Sequence, residues 1–369
     1  MIYYRTYKYL IKPSLIQTEQ IKKTFECCTY VYNKFLIDKN NGKNMNKPAK
    51  EILAEYKKEN EFLQQVDVSA LMNVLFRLQD DRINKLMFKI KNKKIKSYTT
   101  SNLSGRQAIY FIGEELINLP KLGLVKIVKH RPIPNDGKIV DVTIKLDNID
   151  NYYICIAVSF EKRITSNVIS LENCIGLDYS SPHLFIDDKG NQINIKHFYQ
   201  DIEPKVSKLR QALTKTNKNS KEYYRIKNKI SKLYKKSVNQ RADYLHKLST
   251  KLANAYDIIC VEDLNMNEMA SHYNLAKNTY DNAYGMFLDF LKYKLEERGK
   301  LLIKVDRYFP SSKKCNVCGH INNNLTLDDR EWICPHCNTK HNRDINSYPN
   351  LYKIQTFKNT GLNIGLVLA

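Results

Sequence analysis

The chain has 369 residues and a formal net charge of +22, from 60 Lys and Arg against 38 Asp and Glu. This length excludes a small scaffold held together by disulfides, and the charge favours the phosphate backbone of a nucleic acid as the partner. Because no apolar run approaches the roughly 18 residues of a spanning helix, and because Arg5 and Lys8 interrupt the apolar N-terminus, we expect a cytoplasmic protein rather than a membrane protein.

The N-terminal part of the chain predicts one strand followed by helices. Residues 2–11 are aromatic and β-branched and end before Pro13, as in a strand closed by a turn. Apolar residues recur at helical spacing over 18–36 and again over 68–90, with a polar loop at 40–50 between them. The end of the second helix carries a lysine run that is either a phosphate-contacting edge or a solvated helix end: Lys89, Lys91, Lys93, Lys94 and Lys96.

After residue 97 the pattern changes from helices to short strands. Strands are predicted at 108–112, 123–129, 138–146 and 152–160. The intervening Pro132, Pro134, Asp136 and Gly137 predict a hairpin turn between two of them. Together with the N-terminal strand, these segments indicate a compact β-barrel interrupted by a helical bundle.

A third region opens with an apolar strand at 175–177 that delivers Asp178 at its end. A carboxylate beside a buried strand needs a partner such as a metal, although many such aspartates are only turn or capping residues. A second buried strand at 257–261 delivers Glu262 and Asp263, a helix is predicted at 280–299, and a further strand at 301–305. Arg343 and Asp344 open a short helical segment and supply a third acid.

Acids that arrive on separate segments of a βαβ-type pattern can converge on one site. Asp178, Glu262 and Asp344 could hold two divalent ions, magnesium or manganese, about 3.5–4 Å apart. One ion would activate water and the other would stabilise the leaving oxygen of a phosphodiester. The sequence therefore predicts a metal-dependent nuclease.

Between the first two acids lies a basic helical hairpin. Residues 202–251 contain fifteen Lys and Arg against three acids, with leucines and isoleucines on a helical repeat. The pattern fits a solvated helix pair, but the local excess favours a surface that tracks phosphates. The candidate contacts are Lys205, Lys208, Arg210, Lys227, Lys229, Lys232, Lys235, Lys236 and Arg241.

Four cysteines near the C-terminus have the spacing of a metal site. Cys315 and Cys318 form one C-x-x-C, Cys334 and Cys337 form another, and fifteen residues separate the pairs. Four thiolates leave no ligand position for water, so one structural zinc is expected, with two disulfides as the alternative. His320, His336 and His341 could substitute as ligands, but we interpret them as surface residues. The other five cysteines are interpreted as packing residues: Cys27, Cys28, Cys155, Cys174 and Cys260.

The order of these segments resembles a known family. The chain reads G-L-D, then NQRADYLHKLS, VEDLNM, RYFPSSKKCNVCG, W-x-C-x-x-C and RDIN. From about residue 1 to 351 this is similar to the TnpB or OrfB family of transposon-encoded RNA-guided DNA endonucleases, which are related to type V CRISPR effectors. By this resemblance Asp178, Glu262 and Asp344 match the three RuvC carboxylates, and the four cysteines match the family's zinc ribbon.

The resemblance also implies an α+β multidomain fold. A wedge-like β-barrel (1–15 and 97–165) would carry a helical recognition insert (16–96). An RNase H-like RuvC core (170–310 and 341–355) would carry the inserted zinc ribbon (311–340), followed by a C-terminal tail (356–369).

The implied activity is cleavage of target DNA under the direction of a guide RNA from the transposon end. Three rival functions remain: a transposase that joins DNA strands with the same acids, a DNA-binding transposition regulator without its own cleavage, and an RNA-binding factor without a nuclease core. The three intact acids argue against the second and third.

Overall fold

The computed structural model divides the chain into two compact units, residues 1–163 and 164–369, and each is considered by itself. None of the helices in the described part of the chain is long and apolar enough to cross a membrane. The structure describes residues 2–44, 47–80, 94–101, 108–161, 169–170, 173–179, 183–187, 189–264, 283–305, 310, 312–326, 329–343 and 346.

The first unit is organised around a seven-stranded half-barrel sheet. Its strand order is β2-β6-β7-β1-β5-β4-β3, and the pairings are antiparallel. The N-terminal strand lies in the middle, where it pairs with β7 from Ile2↔Glu161 to Ile11↔Tyr152. The strands are β1 (Ile2–Lys12), β2 (Ser97–Ser101), β3 (Tyr110–Ile112), β4 (Leu116–Leu119), β5 (Gly123–Val128), β6 (Lys138–Leu146) and β7 (Tyr152–Glu161).

Side-chain alternation explains why β1 forms the centre of this sheet. Tyr7, Tyr9 and Ile11 are buried at every second position, whereas Lys8 and Lys12 between and after them are exposed. Successive side chains of a strand point to opposite faces, so one face of β1 packs into the core and the other contacts solvent.

Helices cover the buried face of the half-barrel. Ser14 and Gln17 form a reciprocal capping box at the start of the first helix. Apolar side chains such as Phe25 and Leu71 share one core with sheet residues such as Ile144. The helices are α1 (Leu15–Asn40), α2 (Ala49–Glu59) and α3 (Val68–Gln79), with a 3-10 turn at Glu61–Gln65. The rest of the predicted 68–90 helix lies outside the described residues, as do Lys89, Lys91 and Lys93 of the lysine run.

The predicted hairpin at residues 132–137 is wrong. A turn does form there, with the Gly137 amide donating to the Pro134 carbonyl over 3.0 Å, but β5 and β6 on either side of it are not paired. A hairpin would require β6 to pair with β5, but β1 already pairs with β5 on that side. Residues 132–137 therefore connect β5 to β6 across the two strands between them, β1 and β7. Glycine is required at 137 because a Cβ there would lie 2.5 Å from Val158 Cγ1.

The second unit contains a five-stranded sheet with a parallel centre. The order is β10-β9-β8-β11-β12; β11 pairs parallel with both β8 and β12, and β9 pairs antiparallel with β8 and β10. Apolar clusters cover both faces of β11, with Ile259 and Val261 on one side and Ile258 and Cys260 on the other. The strands are β8 (Cys174–Asp178), β9 (Phe185–Asp187), β10 (Gln192–Ile193), β11 (Ile258–Glu262) and β12 (Leu301–Val305).

Three helices and a small hairpin complete the described part of this unit. The two basic helices predicted at 202–251 are present and are joined by a short turn. The hairpin belongs to the cysteine segment. The elements are α4 (Phe198–Thr214), α5 (Lys221–Ala255), α6 (Tyr284–Glu296), β13 (Glu331–Ile333) and β14 (Lys340–Asn342).

Candidate active site and metal centre

Two of the three predicted acids meet at one edge of the parallel sheet. The register pairs Leu177 of β8 with Val261 of β11, so the next residues of the two strands, Asp178 and Glu262, stand side by side. Both carboxylates are half-buried at the carboxyl ends of their strands. Carboxylate oxygens are the ligands that magnesium and manganese take, so the donor chemistry of this pair fits a divalent ion.

The neighbouring acid Asp263 has a different role. Its carboxylate forms an exposed ion pair with Lys304 of β12, with 3.0 Å between Oδ1 and Nζ. Its backbone amide donates to the Val305 carbonyl and continues the pairing of β11 with β12. Asp263 therefore belongs to the sheet edge rather than to the Asp178–Glu262 pair.

A buried tyrosine packs against the residue that follows Asp178. Tyr284 is the first residue of α6 and is 1% exposed, and its ring lies 4.9 Å from that of Tyr179, the residue after Asp178. Burial, and then the charges of Asp178 and Glu262, raise the pKa of Tyr284 above its usual range. Its hydroxyl has no hydrogen-bond partner within the described part of the chain. No sequence pattern singles out this residue, because an aromatic side chain at a helix start is typical of any core.

The third predicted acid, Asp344, lies outside the described residues. Its neighbour Asn346, however, is buried and attached to the first C-x-x-C. The Asn346 side chain accepts from the Asn316 amide over 2.9 Å and donates to the Lys314 carbonyl over 2.7 Å. These two hydrogen bonds attach Asn346, the last residue of the R-D-I-N stretch, to the cysteine cluster.

The four predicted cysteines lie together. Their Sγ atoms all fall within 4.8 Å of one another, and Cys315–Cys337 and Cys318–Cys334 are each separated by 3.6 Å. A disulfide requires about 2.05 Å, whereas a tetrahedral zinc with bonds of about 2.3 Å holds its sulfurs about 3.8 Å apart. The arrangement therefore fits a four-thiolate metal centre rather than the alternative of two disulfides.

Two similar turns present the thiolates. After each C-x-x-C the chain turns back: the Gly319 amide donates to the Cys315 carbonyl, and the Asn338 amide to the Cys334 carbonyl, each over 2.9 Å. Both turning residues have positive φ, 80° at Gly319 and 58° at Asn338, which glycine and asparagine adopt most readily. The β13–β14 hairpin supports the second turn.

The interpretation of His341 as a surface residue is wrong, whereas His320 and His336 are exposed. His341 is buried against Trp332, its cross-strand partner, because the hairpin points both rings inward. Its Nε2 lies 3.1 Å from Cys315 Sγ. A second cysteine of the cluster also has a hydrogen-bonding neighbour: the side chain and backbone of Thr339 lower the pKa of Cys337 to about 6.

The predicted nucleic-acid contacts lie on α4 and α5. Lys229, Lys232 and Lys236 are exposed and follow one face of α5 at i, i+3, i+7 spacing, and we refer to these three as the lysine stripe. The Arg210 guanidinium donates to the Tyr234 hydroxyl over 2.8 Å and so joins α4 to α5. Exposed residues are Lys205, Lys208, Arg210, Lys227, Lys229, Lys232 and Lys236; half-buried residues are Lys235 and Arg241.

Family models match three parts of the chain. Residues 157–272 match a family described as "Probable transposase", and residues 284–351 match a "Cas12f1-like, TNB domain". Residues 1–42 match a "Helix-turn-helix domain" of the same transposase family, although the structure has β1 and α1 there.

Curated relatives extend this match over nearly the whole chain. A Streptomyces pristinaespiralis protein named "Putative RNA-guided DNA endonuclease" is 28% identical over 94% of this chain and 88% of its own length. The chain is similar to the TnpB/OrfB family over nearly its whole length. A second relative, the Escherichia coli "Putative RNA-guided DNA endonuclease InsQ", is 24% identical over 64% of this chain and 61% of its own.

A solved structure supports the predicted fold class. The chain in a structure described as the Cas12f1-sgRNA-target DNA complex aligns with a TM-score of 0.57 and 11% identity, covering 96% of this chain and 99% of that one. The likeness concerns the fold alone. The α+β multidomain class, with a half-barrel sheet, a mixed α/β core and a four-cysteine ribbon, is thus confirmed.

Proposed function

We propose that this chain is a transposon-associated, RNA-guided DNA endonuclease. It would act in a bacterial-type cytoplasm, in association with the nucleoid. The observation that carries the proposal is the register of β8 and β11, which sets Asp178 and Glu262 side by side at the carboxyl edge of a parallel sheet. The names of the TnpB/OrfB relatives support the substrate and the guide. The DNA target and an RNA from the transposon end are the proposed partners.

The proposed active site uses Asp178, Glu262 and Asp344 as carboxylate ligands. The two strands fix the first two acids before any substrate arrives, and Asn346, two residues after the third, is attached to the first C-x-x-C. Magnesium or manganese ions, when held there, supply an activated water and stabilise the leaving oxygen. The half-buried position of the acids limits access of bulk water and strengthens their hold on a cation.

The proposed role of the four cysteines is structural. Cys315, Cys318, Cys334 and Cys337 would hold one zinc and leave no ligand position for a substrate. The hydrogen bond that the Asn316 amide of the first turn donates to the Asn346 side chain then attaches residue 346, two positions after Asp344, to the ribbon. We also propose that the chain has the domain boundaries that the family resemblance implies, with the zinc ribbon at 311–340 inserted into the RuvC-like core.

Plasmid cleavage by the purified protein with its copurifying RNA tests the proposal. Sequencing that RNA supplies the matching target. Replacing Asp178, Glu262 or Asp344 by Ala should lower cleavage by roughly 10³-fold or more, as loss of a group that acts as part of a unit does in other enzymes. DNA binding should persist, because lysines rather than these acids supply the affinity. Calcium should support binding but little cleavage.

Asp263→Ala is the matched control. It removes an acid one residue from Glu262 whose carboxylate forms an exposed ion pair with Lys304, so cleavage should continue at the wild-type rate. Normal cleavage by Asp178→Ala or Glu262→Ala would contradict the nuclease function and favour a DNA-binding regulator. Joined rather than cut strands would favour a transposase.

A further inference from the structure

The hydroxyl of Tyr284 is in an unfavourable place for a group with no function. Its ring is almost fully buried, yet its hydroxyl has no hydrogen-bond partner within the described residues. A buried polar group without a partner destabilises the folded chain, and phenylalanine would fill the same space without that cost.

The surroundings of the ring show where this hydroxyl can act. Tyr284 packs against Tyr179, which directly follows Asp178, and against Phe287 one turn later in α6. The charges of Asp178 and Glu262 both act on it, after burial, to raise its pKa. Tyr284 therefore offers a buried donor that packs beside the residue following Asp178.

We infer that Tyr284 is a positioning residue for the Asp178–Glu262 pair, whose hydroxyl donates a hydrogen bond, directly or through one bound water, to a carboxylate that holds a divalent cation. This inference rests on the proposed function. Carboxylates that bind metals are usually themselves held by hydrogen bonds, and loss of such a partner costs roughly 10–100-fold in metal affinity. In this role the hydroxyl finds its partner only when the carboxylates are drawn into position.

Tyr284→Phe separates this role from packing. The variant keeps the ring and loses only the hydroxyl, so without divalent metal its melting temperature should equal or exceed that of the wild type. Its affinity for Mn²⁺, measured by calorimetry on full-length protein with the cysteine cluster saturated with zinc, should fall by about 10-fold or more. The Mg²⁺ concentration for half-maximal plasmid cleavage should rise by the same factor, with little change in the rate at saturating Mg²⁺.

Tyr244→Phe is the matched control. Tyr244 packs in the same core, and its hydroxyl donates to the Asn194 carbonyl over 2.7 Å. Its loss should lower the melting temperature but leave the affinity for Mn²⁺ unchanged. The two variants should therefore have opposite effects on stability and on metal binding.

Each outcome bears on a different conclusion. If Tyr284→Phe binds Mn²⁺ as tightly as the wild type, or melts lower in the absence of metal, the inference is wrong although the nuclease function can stand. If the wild type neither binds Mn²⁺ in a manner sensitive to Asp178→Asn nor cleaves DNA, the proposed function itself fails.

Discussion

His341 contributes to the cysteine centre although it is not one of the four thiolates. Its Nε2 lies 3.1 Å from Cys315 Sγ, and burial lowers the pKa of the imidazole, which keeps the ring neutral near pH 7. A neutral ring with its proton on Nε2 donates to the thiolate and reduces the negative charge that four thiolates impose on one zinc.

Replacing His341 by Phe should therefore weaken zinc binding by roughly 10-fold or more. The variant retains an aromatic ring beside Trp332, whose centroid lies 4.7 Å from that of His341, so it removes the donor with little loss of packing. Competition with a chromogenic zinc chelator measures the affinity. His320→Phe, a change at an exposed position, should leave the affinity unaltered, and equal affinities for the two variants would refute the role of His341.

At the scale of single elements, α5 offers the clearest test of nucleic-acid binding. The lysine stripe spans about 10 Å of helix and presents three exposed ammonium groups on one face. Each phosphate that a lysine neutralises releases counterions, so affinity should fall steeply with salt concentration.

Replacing Lys229, Lys232 and Lys236 by Gln should reduce the slope of log affinity against log salt by about 2–3 for DNA or RNA. The control replaces three lysines that are already paired with carboxylates, Lys47, Lys247 and Lys340, and so lowers the net charge equally. Fluorescence anisotropy over a salt series gives both slopes. An unaltered slope in the stripe variant would mean that α5 presents only a solvated face.

Elements with a strong periodic pattern were predictable from the sequence, and those without one were not. The strand predicted at 2–11 is observed at Ile2–Lys12, and the strand at 138–146 has the predicted bounds. The short β2 was missed because its serines, threonines and single tyrosine show no alternation of apolar and polar residues. Its burial depends on a distant residue, since Asp67 at the start of α3 accepts the Thr100 hydroxyl.

The same limit applies to the candidate site. Asp178 and Glu262 were predictable because each follows an apolar strand, and parallel strands bring such ends together. Tyr284 and Lys294 were not, because their sequence pattern is that of ordinary helix residues. Lys294 is buried and donates to Ser249 and Thr250 of α5, a partnership that only the packing of α6 on α5 creates.

For the whole molecule, the division into two units predicts that metal removal acts locally. The cysteine cluster and the single tryptophan, Trp332, both belong to the second unit. Chelation of zinc, or Cys334→Ser, should unfold the ribbon because the metal centre supplies much of its stability. The half-barrel of the first unit has its own core and should remain folded.

Two measurements check this prediction together. Trp332 is 6% exposed, so its emission should shift to longer wavelength when the ribbon opens. Limited proteolysis with mass spectrometry should then show cleavage within the ribbon while the fragment around residues 2–161 stays protected. An unchanged emission spectrum after verified zinc loss would contradict the structural role of the cysteines.

The central position of β1 has a consequence for the chain during its synthesis. β1 ends at Lys12, but β7, its partner over ten residue pairs, begins only at Tyr152. At about 5–20 residues per second, the ribosome leaves β1 without that partner for on the order of 10 s. An open strand edge invites pairing with other chains, and charged side chains along it, above all lysines, discourage this. Lys8 and Lys12 thus protect the nascent chain from aggregation before they form part of the solvent face of the finished sheet.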